Sequence, residues 1–293
     1  MRDWDKEKRA EDPDTDGEEL VRLARDWDWH VRRGVAMNPA APLDILEALA
    51  GDRVAWVREA VAASPRADRE ILDILSEDGD GFVRAAVANN LNTSPKVLEA
   101  LADDETMDFD YSLSKNRYIV MEAAAKNPNA PAEVVRTLSE HAEEGVRSAA
   151  VSNPNVPKDV LSRRKTDLSW SVRRGVARSP ASTTDILDHL AADRIQDVRA
   201  AVASNPKTPA SALASLAADR DVEIRAAVAS NPGADAETLA LLSRDWAWKV
   251  RETVAKNPSA PEGVVRALAG DSDQSVGKAA RGRLAKDPQP SGL

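Results

Sequence analysis

Apolar residues recur along the chain in short stripes at helical rather than alternating spacing. In residues 193–216, Val198, Ala201 and Val202 fall at i, i+3 and i+4 and mark one face of a helix of about three turns. Asp193, ahead of it, suits an N-cap. Asn205-Pro206 ends the helix, because a residue before proline avoids the α region. Thr208-Pro209 starts a second, shorter helix, with the hydroxyl as cap and the proline in its first turn. Leu213 and Leu216 are its buried side. No segment sustains two-residue alternation, so no strand is expected.

This unit is repeated. Aligned on Asn-Pro or Ser-Pro pairs, the chain places Pro39, Pro65, Leu91 (in place of Pro), Pro128, Pro154, Pro180, Pro206, Pro232, Pro258 and Pro288 in one column. The spacing is 26 residues throughout, except for 37 between Leu91 and Pro128 and 30 before Pro288. The four-residue excess is about one helical turn and keeps the buried face in register. The expectation is an all-α solenoid of about ten tandem two-helix repeats. Neither helix has enough apolar surface to stand alone, so neighbouring repeats must bury each other's stripe.

The pattern Leu-Ala-x-Asp…Val-Arg-x-Ala-Val-Ala-x-Asn-Pro-x-x-Pro resembles the leucine-rich repeat variant family, akin in style to HEAT and armadillo solenoids, from about Glu18 to Pro288. The resemblance implies an α-helix alternating with a short or 3-10 helix, a right-handed coil and no β-sheet. The family archetype also carries a cysteine-ligated iron–sulfur segment. This chain has no Cys, so that feature does not carry over.

Departures from the period set the domain limits. Residues 1–17 are charged and poor in apolar residues, and read as a disordered tail. Residues 18–288 form the solenoid, entered on Leu20 and Leu23, and residues 289–293 form a C-terminal tail. The eleven-residue excess lies within 105–118 and holds Phe109, Tyr111 and Tyr118, three of the four Phe and Tyr residues in the protein. Insertions in solenoids often serve the binding face; the alternative is a plug over a gap between repeats. Arg164 occupies a position that is usually Leu, and implies a locally loosened second helix.

Two columns carry candidate chemistry. Arg32, Arg58, Arg84, Arg147, Arg173, Arg199, Arg225 and Arg251 share one repeat position, which Met121 and Gly277 break. Such a column reads either as a phosphate-binding stripe, as in HEAT-like alkylpurine DNA glycosylases, or as a structural ladder. In the ladder each Arg meets the Asp six residues earlier or that of the next repeat: Asp26, Asp52, Asp78, Asp167, Asp193, Asp219 and Asp245. The ladder is the favoured reading. The second column is aromatic. Trp27 and Trp29 share repeat positions with Trp246 and Trp248, and His30, Trp56 and Phe82 fill another in successive repeats. Aromatic side chains on a partly exposed rim are favoured contacts for protein partners; otherwise they cover the edges of neighbouring helices.

Composition narrows the function. Without Cys there are no disulfides, thiolate zinc sites or iron–sulfur clusters. The first residues carry no apolar stretch and no run approaches a membrane span, so a cytoplasmic protein, bacterial in style, is expected. A net charge of −9 argues against a polyanion binder. His30, His141 and His189 sit at non-equivalent positions, and no phosphate loop or nucleophile motif occurs. The expected function is a non-catalytic protein–protein interaction scaffold without cofactor, binding a neutral or basic protein or peptide through Trp27, Trp29, Trp56, Phe82, Phe109, Tyr111 and Tyr118. The alternative is nucleic-acid binding through the Arg column.

Overall fold

In the computed structural model, which describes residues 4–110 and 115–286, the chain divides into two compact units at Pro157. In the first, longer helices at Trp4–Glu11, Trp29–Met37, Ala55–Ala63, Gly81–Asn89, Ile119–Lys126 and Glu144–Val151 alternate with shorter ones at Gly17–Leu23, Leu43–Ala50, Arg69–Leu75, Pro95–Ala102 and Ala132–Ser139. The second begins on the short helix Lys158–Arg164 and repeats the alternation up to Gln274–Leu284. The short helices of seven or eight residues are α-helical. The all-α repeat solenoid of the sequence is the architecture of the chain.

Each repeat buries one stripe per helix. In the long helix Gln196–Ser204, Val198, Ala201, Val202 and Ala203 are buried; in the following short helix, Ala212, Leu213 and Leu216 are. Long helices pack mainly on long helices of neighbouring repeats, and alanine lets them lie close. The limit is reached at Gly34, where an added Cβ would stand 3.0 Å from the Ala10 Cβ. Alanine there would push the first helix away.

Four features depart from the sequence reading. Residues 4–11 are helical, where a disordered tail is expected, and Ala10 is fully buried against the next long helix. Lys6 and Ala10 occupy the repeat positions of Arg32 and Ala36, so this helix opens an additional, degenerate repeat. The 105–118 insertion holds the second departure, a short antiparallel ribbon of β1 (Asp108–Asp110) and β2 (Lys115–Arg117), with Phe109 opposite Asn116. An eleven-residue excess allows a hairpin that a 26-residue repeat has no room for.

The third concerns the caps. The long helix after Asp193 starts from Ile195, and Asp193 instead accepts the Ile195 N–H at 2.9 Å. Its carboxylate shapes the turn before the helix rather than capping the helix itself. Likewise the short helix begins from Pro209, while the Thr208 hydroxyl donates to the Val202 carbonyl. The fourth is Asn205, expected only to stop a helix. Its amide nitrogen donates to the Ala177 and Ser179 carbonyls of the preceding repeat, while its oxygen accepts from the Lys207 N–H. Asn38, Asn90, Asn127, Asn153, Asn231 and Asn257 do the same, with donor distances of 2.7–3.2 Å. All are buried. A buried carbonyl needs a donor, and one amide here satisfies two. At Ser64 and Ser179 a hydroxyl replaces the amide and accepts from the Arg66 and Ala181 N–H, keeping the turn. At the last described repeat Arg283 takes the Asn position and donates to Asn257, Pro258 and Ala260 carbonyls.

Candidate partner-binding surface

The Arg column lies between repeats. Arg32 donates through Nε and Nη2 to both oxygens of Asp52, twenty residues on, and through Nη1 to the Asp26 carbonyl. The same fork joins Arg58 to Asp78, Arg173 to Asp193, Arg199 to Asp219, Arg225 to Asp245 and Arg251 to Asp271, with Nε–O distances of 2.5–2.7 Å. Arg84 pairs with Asp104 through Nε and spends Nη2 on Thr106, inside the insertion. Of the two geometries open to the sequence, the carboxylate comes from the next repeat and the carbonyl from six residues earlier. Lys6 starts the series on Asp26 at 2.7 Å. Where His141 replaces the Asp, its Nδ1 accepts the Glu143 N–H and its carbonyl accepts from Arg147, so the turn is kept. Asp167 accepts from Arg164 at 3.5 Å and, through its carbonyl, from Arg173.

The pairs are shielded from water: the Arg225 and Asp245 side chains are each 7% exposed. Burial pulls the Asp52 carboxyl upward, but hydrogen bonds from Arg32 and the Val54 N–H outweigh it and hold its pKa below the ordinary value. Asp78, Asp193, Asp219 and Asp245 are lowered by the same balance. Each of these forked guanidiniums is thus committed to a carboxylate and a carbonyl, an arrangement that suits Arg's planar fork and would not suit Lys.

The aromatic positions lie on the surface instead. Trp27 is 65% exposed, Trp56 57% and Phe82 40%, while Trp29 is half-buried. Trp29 stacks on His30 at 3.7 Å between ring centroids and meets Trp56 at 4.7 Å. His30 is itself held by Asp28, 2.8 Å from its Nδ1. The structure therefore brings Trp29, His30 and Trp56 into one cluster. Trp4, not among the candidates, is exposed and continues their column one repeat earlier; the 26-residue spacing from His30 is the signal for it.

Tyr118 is half-buried with its ring edge to His141, at 5.0 Å. Tyr111 lies outside the described residues, as does the Phe109 side chain. The base of the hairpin is tied down by Arg117, which donates to both oxygens of the buried Glu122. Gly145 makes room for that carboxylate, since a Cβ there would stand 2.6 Å from Glu122 Oε1. Among the described residues no group of three His, Asp or Glu side chains is placed to hold a metal ion, and no helix is long and apolar enough to cross a membrane.

A helical repeat protein, cross-linked by Arg–Asp forks and Asn amides, is the class that this fold defines. Within it, the leucine rich repeat variant model matches residues 29–54, 81–105, 197–221 and 248–273, four stretches similar to the repeats of that family. A solved leucine-rich repeat variant, described as a novel repetitive structural motif, is 21% identical over 80% of this chain and 88% of its own, with a TM-score of 0.56. That likeness is one of fold. An engineered protein aligns over 92% of this chain and 98% of its own at 15% identity, with a TM-score of 0.35, too low to inform the fold. No curated protein matches the chain.

Proposed function

We propose that the chain is a non-catalytic scaffold that binds a protein or peptide through the aromatic surface of its N-terminal unit. The observation that carries this reading is the set of exposed rings: Trp27, Trp56 and Phe82 stand in water although the fold has no use for them in its core, and Trp56 meets Trp29. Indole and phenyl rings left exposed together are the side chains most apt to anchor a partner. Tyr118, Phe109 and Tyr111 extend the reading to the insertion. The net charge of −9 favours a neutral or basic partner, met in the cytoplasm. Against the nucleic-acid alternative stands the state of the Arg column, whose guanidiniums already face carboxylates at 2.5–2.7 Å. Phosphate contacts need cations that are free to reach the backbone.

The test is affinity purification with quantitative comparison of wild type, Trp56→Ala, Phe82→Ala and a control, Trp246→Ala in the C-terminal unit. The expected outcome is loss of the same partners from the first two variants alone. Identical recovery from all four would sink the assignment.

A further inference from the structure

Within the N-terminal unit, the exposed sides of Ala55–Ala63 and Gly81–Asn89 enclose a groove of about 360 Å³. Ala63, Ala85 and Ala86 give it methyl surface, Phe82 an aromatic one, and Glu59 its one carboxylate. Trp56 lies one turn before Glu59 on the same helix, with its exposed ring against Trp29. Glu59 is half-buried, yet has no hydrogen bond or ion pair among the described residues. Burial pushes its carboxyl pKa up; the charge of Arg33 opposes the rise and that of Asp80 adds to it.

The shielded carboxylates of Asp52, Asp78, Asp104 and Glu122 in the same unit are each held by an arginine. Glu59 lacks one, and a partly desolvated anion without a partner is a cost that an incoming cation would offset. The neighbouring surfaces match one kind of cation. Alanine methyls suit an aliphatic stem, and ring faces suit a charged head. We propose that this groove is a socket for a Lys or Arg side chain of a partner peptide, its cation pairing with Glu59 and its stem lying on Ala63, Ala85 and Ala86 beside Phe82. The inference rests on the partner-binding reading above and names the chemistry recognised.

The full chain is titrated with a five-residue acetylated peptide amide, alanine but for a central lysine, and with its arginine and Nε-acetyl-lysine counterparts. The Trp56 indole N–H signal, assigned by its loss in Trp56→Phe, reports binding by NMR. A saturable shift with either basic peptide is expected, weakened about ten-fold by acetylation and by Glu59→Gln, the scale of one charge-assisted hydrogen bond. Glu59→Gln should melt no lower than wild type, which separates loss of the socket from loss of the fold. Equal binding of the acetylated peptide, or unchanged binding to Glu59→Gln, overturns the proposal, as does the absence of any saturable shift. If Trp56→Ala still loses its cellular partner while the basic peptides fail to bind, the aromatic surface stands and the socket falls. If the basic peptides bind as expected while Trp56→Ala keeps every cellular partner, the socket stands and the wider assignment falls.

Discussion

One repeat column has opposite chemistry in the two units. It reads Trp4, His30, Trp56, Phe82, Ile119 and Gly145 in the N-terminal unit, and Ser171, Asp197, Glu223, Lys249 and Ser275 in the C-terminal one. The ladder next to it is the same in both, with Arg32–Asp52 and Arg225–Asp245 each at 2.5 Å and 7% exposure. In the C-terminal unit the column neutralises itself across repeats: Lys249 pairs with Glu223, and Asp197 lies 3.7 Å from Arg174. Two of the three tryptophans there also lie against cations, Trp170 with Arg174 and Trp246 with Arg225. In the N-terminal unit the rings meet one another and water. The same ladder thus carries two different surfaces, so the packing of a repeat does not dictate what this column presents to water.

The largest expected effect tests the shared half of that comparison. Arg32→Ala and Arg225→Ala should each destabilise their own unit by about 3 kcal/mol, because truncation strands a shielded carboxylate and a carbonyl. Hydrogen exchange resolves the units separately, and a cost confined to one of them would break the equivalence. Acid should act on both together. The ladder carboxyls titrate below their ordinary value in the folded chain, so their contribution is complete above about pH 4 and is lost as pH falls through the folded values. A melting temperature that stays flat from neutral pH down to about pH 2 would contradict this. Asn90→Ala and Asn231→Ala should each cost about 2 kcal/mol by orphaning two buried carbonyls.

Smaller effects sharpen the contrast. Ser64→Asn restores a missing amide in the N-terminal unit and should add about 1 kcal/mol in urea denaturation; a loss would show that the gap has closed around serine. Trp56→Ala should change stability by about 0.5 kcal/mol or less, as suits an exposed side chain, while removing the partner. A large loss of stability would make the ring part of the packing and not of the surface.

Much of this was legible in the sequence, because proline spacing reports the period directly. The Arg and Asp columns were legible too, but not which carboxylate each Arg takes, since that depends on how far one repeat is displaced from the next. The Asn amide was hidden behind its neighbour: in Asn-Pro, proline explains the helix end so fully that the asparagine looks incidental. The first helix was missed because Asp5 and Arg9 stand where Val31 and Val35 do one repeat later. The ring column could be found, though not that Trp29, His30 and Trp56 touch while Tyr118 turns to His141. Glu59 gave no signal, as its lack of a partner exists only in three dimensions.

The two cross-links also point opposite ways along the chain. Each Asn amide reaches back to carbonyls already synthesised, whereas each Arg reaches forward to an Asp not yet made. In a repeat that carries both, the amide bonds need only residues already made when its long helix is complete, whereas the fork needs the turn that follows.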